Sequence, residues 1–431
     1  MVNKIFLKIF GVLDIIKDFL VAWGLKILIV IFALVIMHNV IKIGEISSRY
    51  QGKYKTLTPI YEDEKKFMNY YEEGEGPTVV ILPEFGSQSP VTQYKTIVDS
   101  LKDSYRVVVV EYFGYGFSMS MSKHERLNDV IVEEIIKLLD YRQISGPYTL
   151  IAADTSSIYA MRFQQKYPEL VTSIISIDSV YPAEYNDYYR MDKIRDRISN
   201  VNLTSIWELT GFERILSYVS PQTFYIDKMK DLPNNYTKEE ISVYRNRIGS
   251  AYLTRTMVRE INKLEENIKQ MKDYTYPSHL PVLQILSSEK KDIYEYAKNS
   301  GESKVNLVDL AQGVITNSRI QGINVVKGDD QMLQLSNPTG VTLAIRNFLA
   351  GYYEFDSFSN NISTNENNTN TNTNTTNAAT ENNTNVVNDN TIIGNNSVNA
   401  TVTNTTTNSS TVNSSNNTSN TSKEVFQVEL D

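Results

Sequence analysis

The stretch LIAADTSS (150–157) places an aspartate, Asp154, between an apolar run and a helix-like run. A carboxylate at such a junction has two chemical uses. It can attack an electrophilic carbon and form an ester intermediate. It can also cap the following helix by accepting the free amides of Ser156 and Ser157, which needs no reaction at all. The hydroxyls of Ser156 and Ser157 are weaker candidates, since each falls in the first turn of that helix with no base beside it. Bases are scarce throughout. The chain has three histidines, His38, His124 and His279, and none stands near the aspartate in sequence. Most proton transfer near neutral pH uses histidine, so the scarcity restricts the chemistry. Cysteine is absent, which removes disulfides, thiolate metal sites and cysteine nucleophiles together.

The elements that would hold Asp154 follow from the apolar pattern. TVVILP (78–83), RVVVVEY (106–112), YTLIAA (148–153), SIISIDS (173–179) and PVLQIL (281–286) are continuous β-branched runs, the pattern of buried parallel strands, and INVVK (323–327) is a shorter one. Helical spacing separates them, at Tyr94, Ile97, Val98 and Leu101, again at Leu127, Ile131, Ile135, Leu138 and Leu139, and over 156–167 and 340–349. Alternating strands and helices predict an α/β fold built on a doubly wound, mostly parallel sheet. The stretch 181–277 is helical, charged and rich in tyrosine, and reads as a cap inserted between two strands. No G-x-G-x-x-G follows a strand and no G-x-x-x-x-G-K-[ST] is present, so a dinucleotide or nucleotide domain lacks its signature.

The two ends differ from this middle. Residues 19–43 are apolar apart from Lys26, His38, Asn39 and Lys42, and the charge-free piece 27–41 is shorter than the ~20 residues that cross a bilayer. With Lys26 and Lys42 able to snorkel, a single N-terminal transmembrane helix acting as signal-anchor is expected. Lysines flank the run on both sides, so orientation is weakly set. The folded domain is expected outside the cytoplasm, at the cell membrane. From about 358 to 422 the chain is mostly Asn, Thr and Ser and is expected to be disordered. Net charge is −8, with a pI near 5.2 and no basic stripe, so nucleic acid is not an expected partner. The expected organisation is an anchor and spacer over 1–55, core over 56–182, cap over 183–276, core again over 277–352 and a tail over 353–431.

In this order the landmarks resemble the α/β-hydrolase superfamily, and most of all its membrane-tethered bacterial members. The resemblance covers roughly 56–351 and rests on GPTVVILPEFGSQSP, YRVVVVEYFGYGFS, GPYTLIAADTSSIYAMRFQQKYPELV, SIISIDSVYP, LPVLQILSSEKKD and VVKGDDQMLQLSNPTGVTLAIRNFL. It implies a nucleophile elbow, G-x-S-x-G in the family, at Ala152, Ala153, Asp154, Thr155 and Ser156. Both glycines are replaced, which puts a turn of the family's sharpness in question. Members such as epoxide hydrolases and haloalkane dehalogenases use aspartate at this position, with a histidine to activate the hydrolytic water. The histidine position, counted back from Pro338, falls on Gln331, a neutral amide that takes no proton near pH 7. The acid position falls near Lys290, with Glu289 and Asp292 beside it; a solvated charged loop is the plainer reading. The oxyanion loop places Glu84 where the family keeps glycine, with the amides of Phe85 and Thr155 as donors. If Glu84 and Asp154 both face inward, their repulsion at ~4 Å is on the order of 4 kcal/mol at an effective dielectric near 20. One then takes up a proton or a cation sits between them, unless Glu84 turns outward to solvent.

Losing one triad member costs about 10⁴–10⁶ in turnover. The resemblance therefore implies a degenerate hydrolase that binds a small ligand or a partner through its pocket and cap, with Tyr185, Tyr188, Tyr189 and Tyr225 as contact surface. The alternative is an active hydrolase of small ester or epoxide substrates with Asp154 as nucleophile. No metal and no cofactor is expected.

Overall fold

The computed structural model describes residues 2–49, 53–204, 212–231, 236–251, 253–329 and 332–358. Two compact units divide the chain, Met1–Asn361 and Ile362–Asp431, and the described residues all belong to the first. The tail expected to be disordered lies outside them beyond 358, and so does Gln331.

Eight strands form one sheet: β1 Leu57–Tyr61, β2 Lys66–Glu73, β3 Thr78–Leu82, β4 Arg106–Glu111, β5 Tyr148–Ala153, β6 Val171–Ile177, β7 Val282–Ser287 and β8 Gln321–Val326. Their order is β1-β2-β4-β3-β5-β6-β7-β8. β1 pairs antiparallel with β2 and β2 with β4, and all other pairs are parallel. The six β-branched runs become the six parallel strands. The hairpin β1–β2 is absent from the sequence reading. β2, KFMNYYEE, sits near the sheet edge and is half-buried along most of its length, so it lacks a continuous apolar run.

Strand residues alternate between two cores, as a period of two requires. Val80, Leu82, Val108, Val110, Leu150, Ala152 and Ile174 pack on one face with the helices Asn128–Tyr141 and Ser156–Lys166. Val79, Ile81, Val107, Val109, Ile151, Ile175 and Ile177 pack on the other with Lys95–Leu101 and Pro338–Leu349. Between β6 and β7 lies a helical insertion that includes Tyr188–Thr204, Phe212–Val219, Ile226–Asp231, Lys238–Ala251, Arg255–Ile261 and Leu264–Gln270.

The N-terminal region is a single helix, Val2–Arg49. Among the described residues no helix is long and apolar enough to cross a membrane. The expected transmembrane span is therefore not found among the described residues.

Candidate functional site

Parallel register brings the carboxyl ends of four strands to one edge. Leu82 pairs with Ala152, Ala153 with Ile177, and Ile177 with Ile285. The residues that leave these strands, Glu84, Asp154, Asp178 and Lys290, therefore gather where open α/β sheets hold their ligands. They line a cavity of about 740 Å³ roofed by Lys193, Arg197, Asn200 and Tyr225 of the helical insertion.

Asp154 keeps the elbow without the glycines. Its φ is +50°, in the left-handed region that aspartate tolerates better than most residues. Three donors fix its carbonyl: the Ser157 amide at 3.2 Å, the Ser157 hydroxyl at 2.6 Å and the Val180 amide at 3.2 Å. Its own amide donates to the Ile177 carbonyl at 2.9 Å. The turn is thus held by hydrogen bonds to its peptide in the absence of the glycines. Ser156 donates to the Pro83 carbonyl and shares a 3.0 Å contact with the Tyr112 hydroxyl. Both elbow serines are committed to backbone.

The Asp154 side chain does not cap the helix that follows. It forms a two-pronged ion pair with Arg197, Nη1 to Oδ1 at 3.1 Å and Nη2 to Oδ2 at 2.7 Å. Burial alone would raise this carboxyl. The Arg197 guanidinium, then Lys290 and the Thr155 amide, hold it below the usual carboxylate range. Arg197 also lies 5.4 Å over the Phe85 ring. The Thr155 hydroxyl is buried without a hydrogen-bond partner.

Glu84 is buried, where solvent exposure was the ordinary expectation. The Tyr94 hydroxyl donates to its carboxylate, joined by Gln334 Nε2 at 3.2 Å and Gln93 Nε2 at 3.4 Å. Burial, with the charge of Asp154 adding to it, pushes this carboxyl up to about 7. The pair of like charges is relieved in two ways at once: a proton on Glu84 near neutrality and a cation on Asp154.

The acid position reads differently. Glu289 and Asp292 are exposed on the helix Ser288–Asn299 and do not line the cavity. Lys290 turns in instead, donating to the carbonyls of Asp178 at 2.6 Å and Ser179 at 3.2 Å. Sequence reading missed Asp178, Arg197 and Tyr294, all of which line the cavity. Asp178 accepts the Ser287 amide at 2.6 Å through Oδ1, while its buried Oδ2 has no partner. Burial pushes it up to about 6 against the pull of Lys290. Of the four cap tyrosines, Tyr225 lines the cavity and Tyr188 is exposed. His124 stacks on Tyr61 at 4.3 Å and His279 is exposed, so no histidine lines the cavity among the described residues.

An epoxide hydrolase of Vigna radiata superposes with a TM-score of 0.50 at 16% identity, covering 69% of this chain and 97% of the plant protein. The chain has the α/β-hydrolase fold. The likeness at that identity concerns the fold. In sequence, the chain is 27% identical over 272 residues to an uncharacterized protein of Bacillus subtilis (strain 168), YbdG, covering 62% of this chain and 79% of that one. It is 25% identical over 114 residues to a cis-3-alkyl-4-alkyloxetan-2-one decarboxylase of Shewanella oneidensis, covering 26% and 35%. No protein-family model matches.

Proposed function

We infer that this α/β-hydrolase-fold chain is catalytically degenerate and binds a small ligand in the cavity beneath its cap. The observation that carries this reading is the two-pronged Asp154–Arg197 pair. A nucleophile must present an electron-rich oxygen to the substrate, and here both oxygens of the carboxylate are hydrogen-bonded to a guanidinium, which holds the group as a stabilised, weakly nucleophilic anion. Expelling Arg197 would uncover the oxygens but leave an ester with no histidine at the cavity to activate water. The surviving turn at Asp154 favours the second reading, an active hydrolase of small esters or epoxides.

The test is steady-state hydrolysis of p-nitrophenyl acetate and styrene oxide by the full chain beside Asp154→Ala. Rates at background for both proteins are expected. Turnover by the native chain that Asp154→Ala abolishes would overturn the reading in favour of the second.

Membrane attachment through the N-terminal helix belongs to the same reading. Ile27, Leu28, Ile29, Val30, Ile31 and Phe32 are exposed on it in one unbroken run, C-terminal to the exposed Asp14, Lys17, Asp18 and Lys26. A helical stretch that is apolar all round is covered in its working state by lipid or by protein.

A further inference from the structure

The cap helix Phe212–Val219 is inside out. Its polar residues Glu213, Arg214 and Ser217 are buried and Leu216 is partly buried, while Ile215, Tyr218 and Val219 are exposed, Val219 by 78%. A helix on a water-facing surface shows the opposite arrangement. The reversal is built into the packing. Arg214 lies against Gly249 of the helix Lys238–Ala251, where an added Cβ would come within 2.4 Å of the guanidinium nitrogen. Its Nη2 donates to the Asn246 carbonyl at 3.3 Å, and the Ser217 hydroxyl donates to the Arg214 carbonyl at 2.7 Å. The polar face is thus packed against that neighbouring helix, with Arg214 Nε and Nη1 buried without a hydrogen-bond partner, and the apolar face is left outward.

The helix Lys238–Ala251 that seats this polar face also packs against the N-terminal helix Val2–Arg49. Two exposed apolar elements therefore share one neighbour. On the N-terminal helix the exposed positions Ile27, Leu28, Ile29, Val30, Ile31 and Phe32 are consecutive, so they point in every direction around its axis. A protein partner covers a stripe of a helix, whereas lipid covers its whole circumference.

We propose that the outward face of Phe212–Val219 seats on the lipid surface that receives the N-terminal helix, giving the chain a second membrane contact through its cap. The proposal rests on the membrane attachment inferred above. The seat lies beside the cavity, because the chain runs on from Val219 to Thr223, Phe224 and Tyr225, which line it. Amphipathic helices bind lipid in this way, with the apolar face sunk to the boundary of headgroups and acyl chains.

The absence of native cysteine makes a direct test simple. The variants are Val219→Cys on the cap, Ile31→Cys on the N-terminal helix and Leu343→Cys, an exposed apolar site on Pro338–Leu349. Each full chain carries an environment-sensitive fluorophore and is mixed with phosphatidylcholine–phosphatidylglycerol vesicles, with and without spin-labelled acyl chains. Emission at 219 and at 31 is expected to shift to the blue and be quenched about twofold or more by the spin labels, as interfacial burial requires, with no change at 343. Quenching at 31 without quenching at 219 would overturn this proposal and leave the attachment standing. No quenching at 31 would overturn the attachment and the proposal with it. A blue shift at 219 that grows with protein concentration and needs no lipid would assign the face to a second copy of the chain, and would equally overturn it.

Discussion

Asp154 and Asp178 leave adjacent parallel strands with nearly the same backbone, φ +50° and +48°. Each donates its amide to the next strand, Asp154 to Ile177 at 2.9 Å and Asp178 to Ile285 at 2.8 Å. Both line one cavity. Their carboxyls nevertheless move in opposite directions, Asp154 below the ordinary range and Asp178 up to about 6. The turn does not set the charge; the partner does. Arg197 reaches Asp154 from the cap, while Asp178 Oδ2 is buried with nothing to meet it. At these two strand ends the carboxyl that Arg197 reaches is held as an anion, and the buried one that it does not reach is left able to take a proton.

Changing the partner should have the largest effect. Arg197→Met leaves Asp154 a largely buried charge without its guanidinium. A fully buried pair broken in this way costs 3–5 kcal/mol; the Arg197 side chain is 35% exposed and Asp154 20%, so about 1–2 kcal/mol is expected. Urea unfolding at pH 7 measures it. Because the folded pKa of Asp154 is depressed, the pair stabilises above the unfolded value and the benefit is lost as pH falls through the folded one. The loss in Arg197→Met should therefore shrink below about pH 4.

Asp178→Asn should show the reverse dependence. Its folded pKa is raised from 3.8 to about 6, so its favourable contribution is complete at low pH and is lost as pH rises through about 6. Relative to the native chain, Asp178→Asn should gain stability between pH 4 and pH 7, by on the order of 1–2 kcal/mol. A difference in melting temperature that stays flat over that interval would remove the contrast between the two aspartates.

Ser157→Ala tests the turn apart from the charge. It deletes the hydroxyl bonds to the Asp154 carbonyl at 2.6 Å and the Val180 carbonyl at 3.1 Å, and should cost about 1 kcal/mol at every pH from 4 to 8. The smallest effect belongs to the acids outside the cavity. Glu289→Gln and Asp292→Asn should each change stability by less than about 0.5 kcal/mol, as exposed charges do.

The sheet was legible because its six parallel strands are buried on both faces and so read as unbroken β-branched runs. β2 was not, because half-burial dilutes the signal. The elbow was legible from small residues around Asp154 after YTLIAA. The same local signal, an acid directly after a β-branched run, stands in SIISIDS at Asp178 and could have marked it. Nothing local marks Arg197. It lies in a charged helix with Arg190, Lys193 and Arg195, and only the fold of the cap selects it to face the elbow. Lys290 was likewise one of several charges until the Ser287 cap fixed which side of its helix turned inward.

If Asp154 serves as the partner of Arg197, as proposed, and not as a nucleophile, the two side chains must be energetically coupled. A double-mutant cycle of Asp154→Asn and Arg197→Met, read by urea unfolding of the full chain at pH 7, measures that pairing directly. A favourable coupling of about 1–2 kcal/mol at pH 7 that shrinks as pH falls below about 4 is predicted. Additivity of the two changes within about 0.5 kcal/mol at pH 7 would mean that the carboxylate is not held, and would contradict the account.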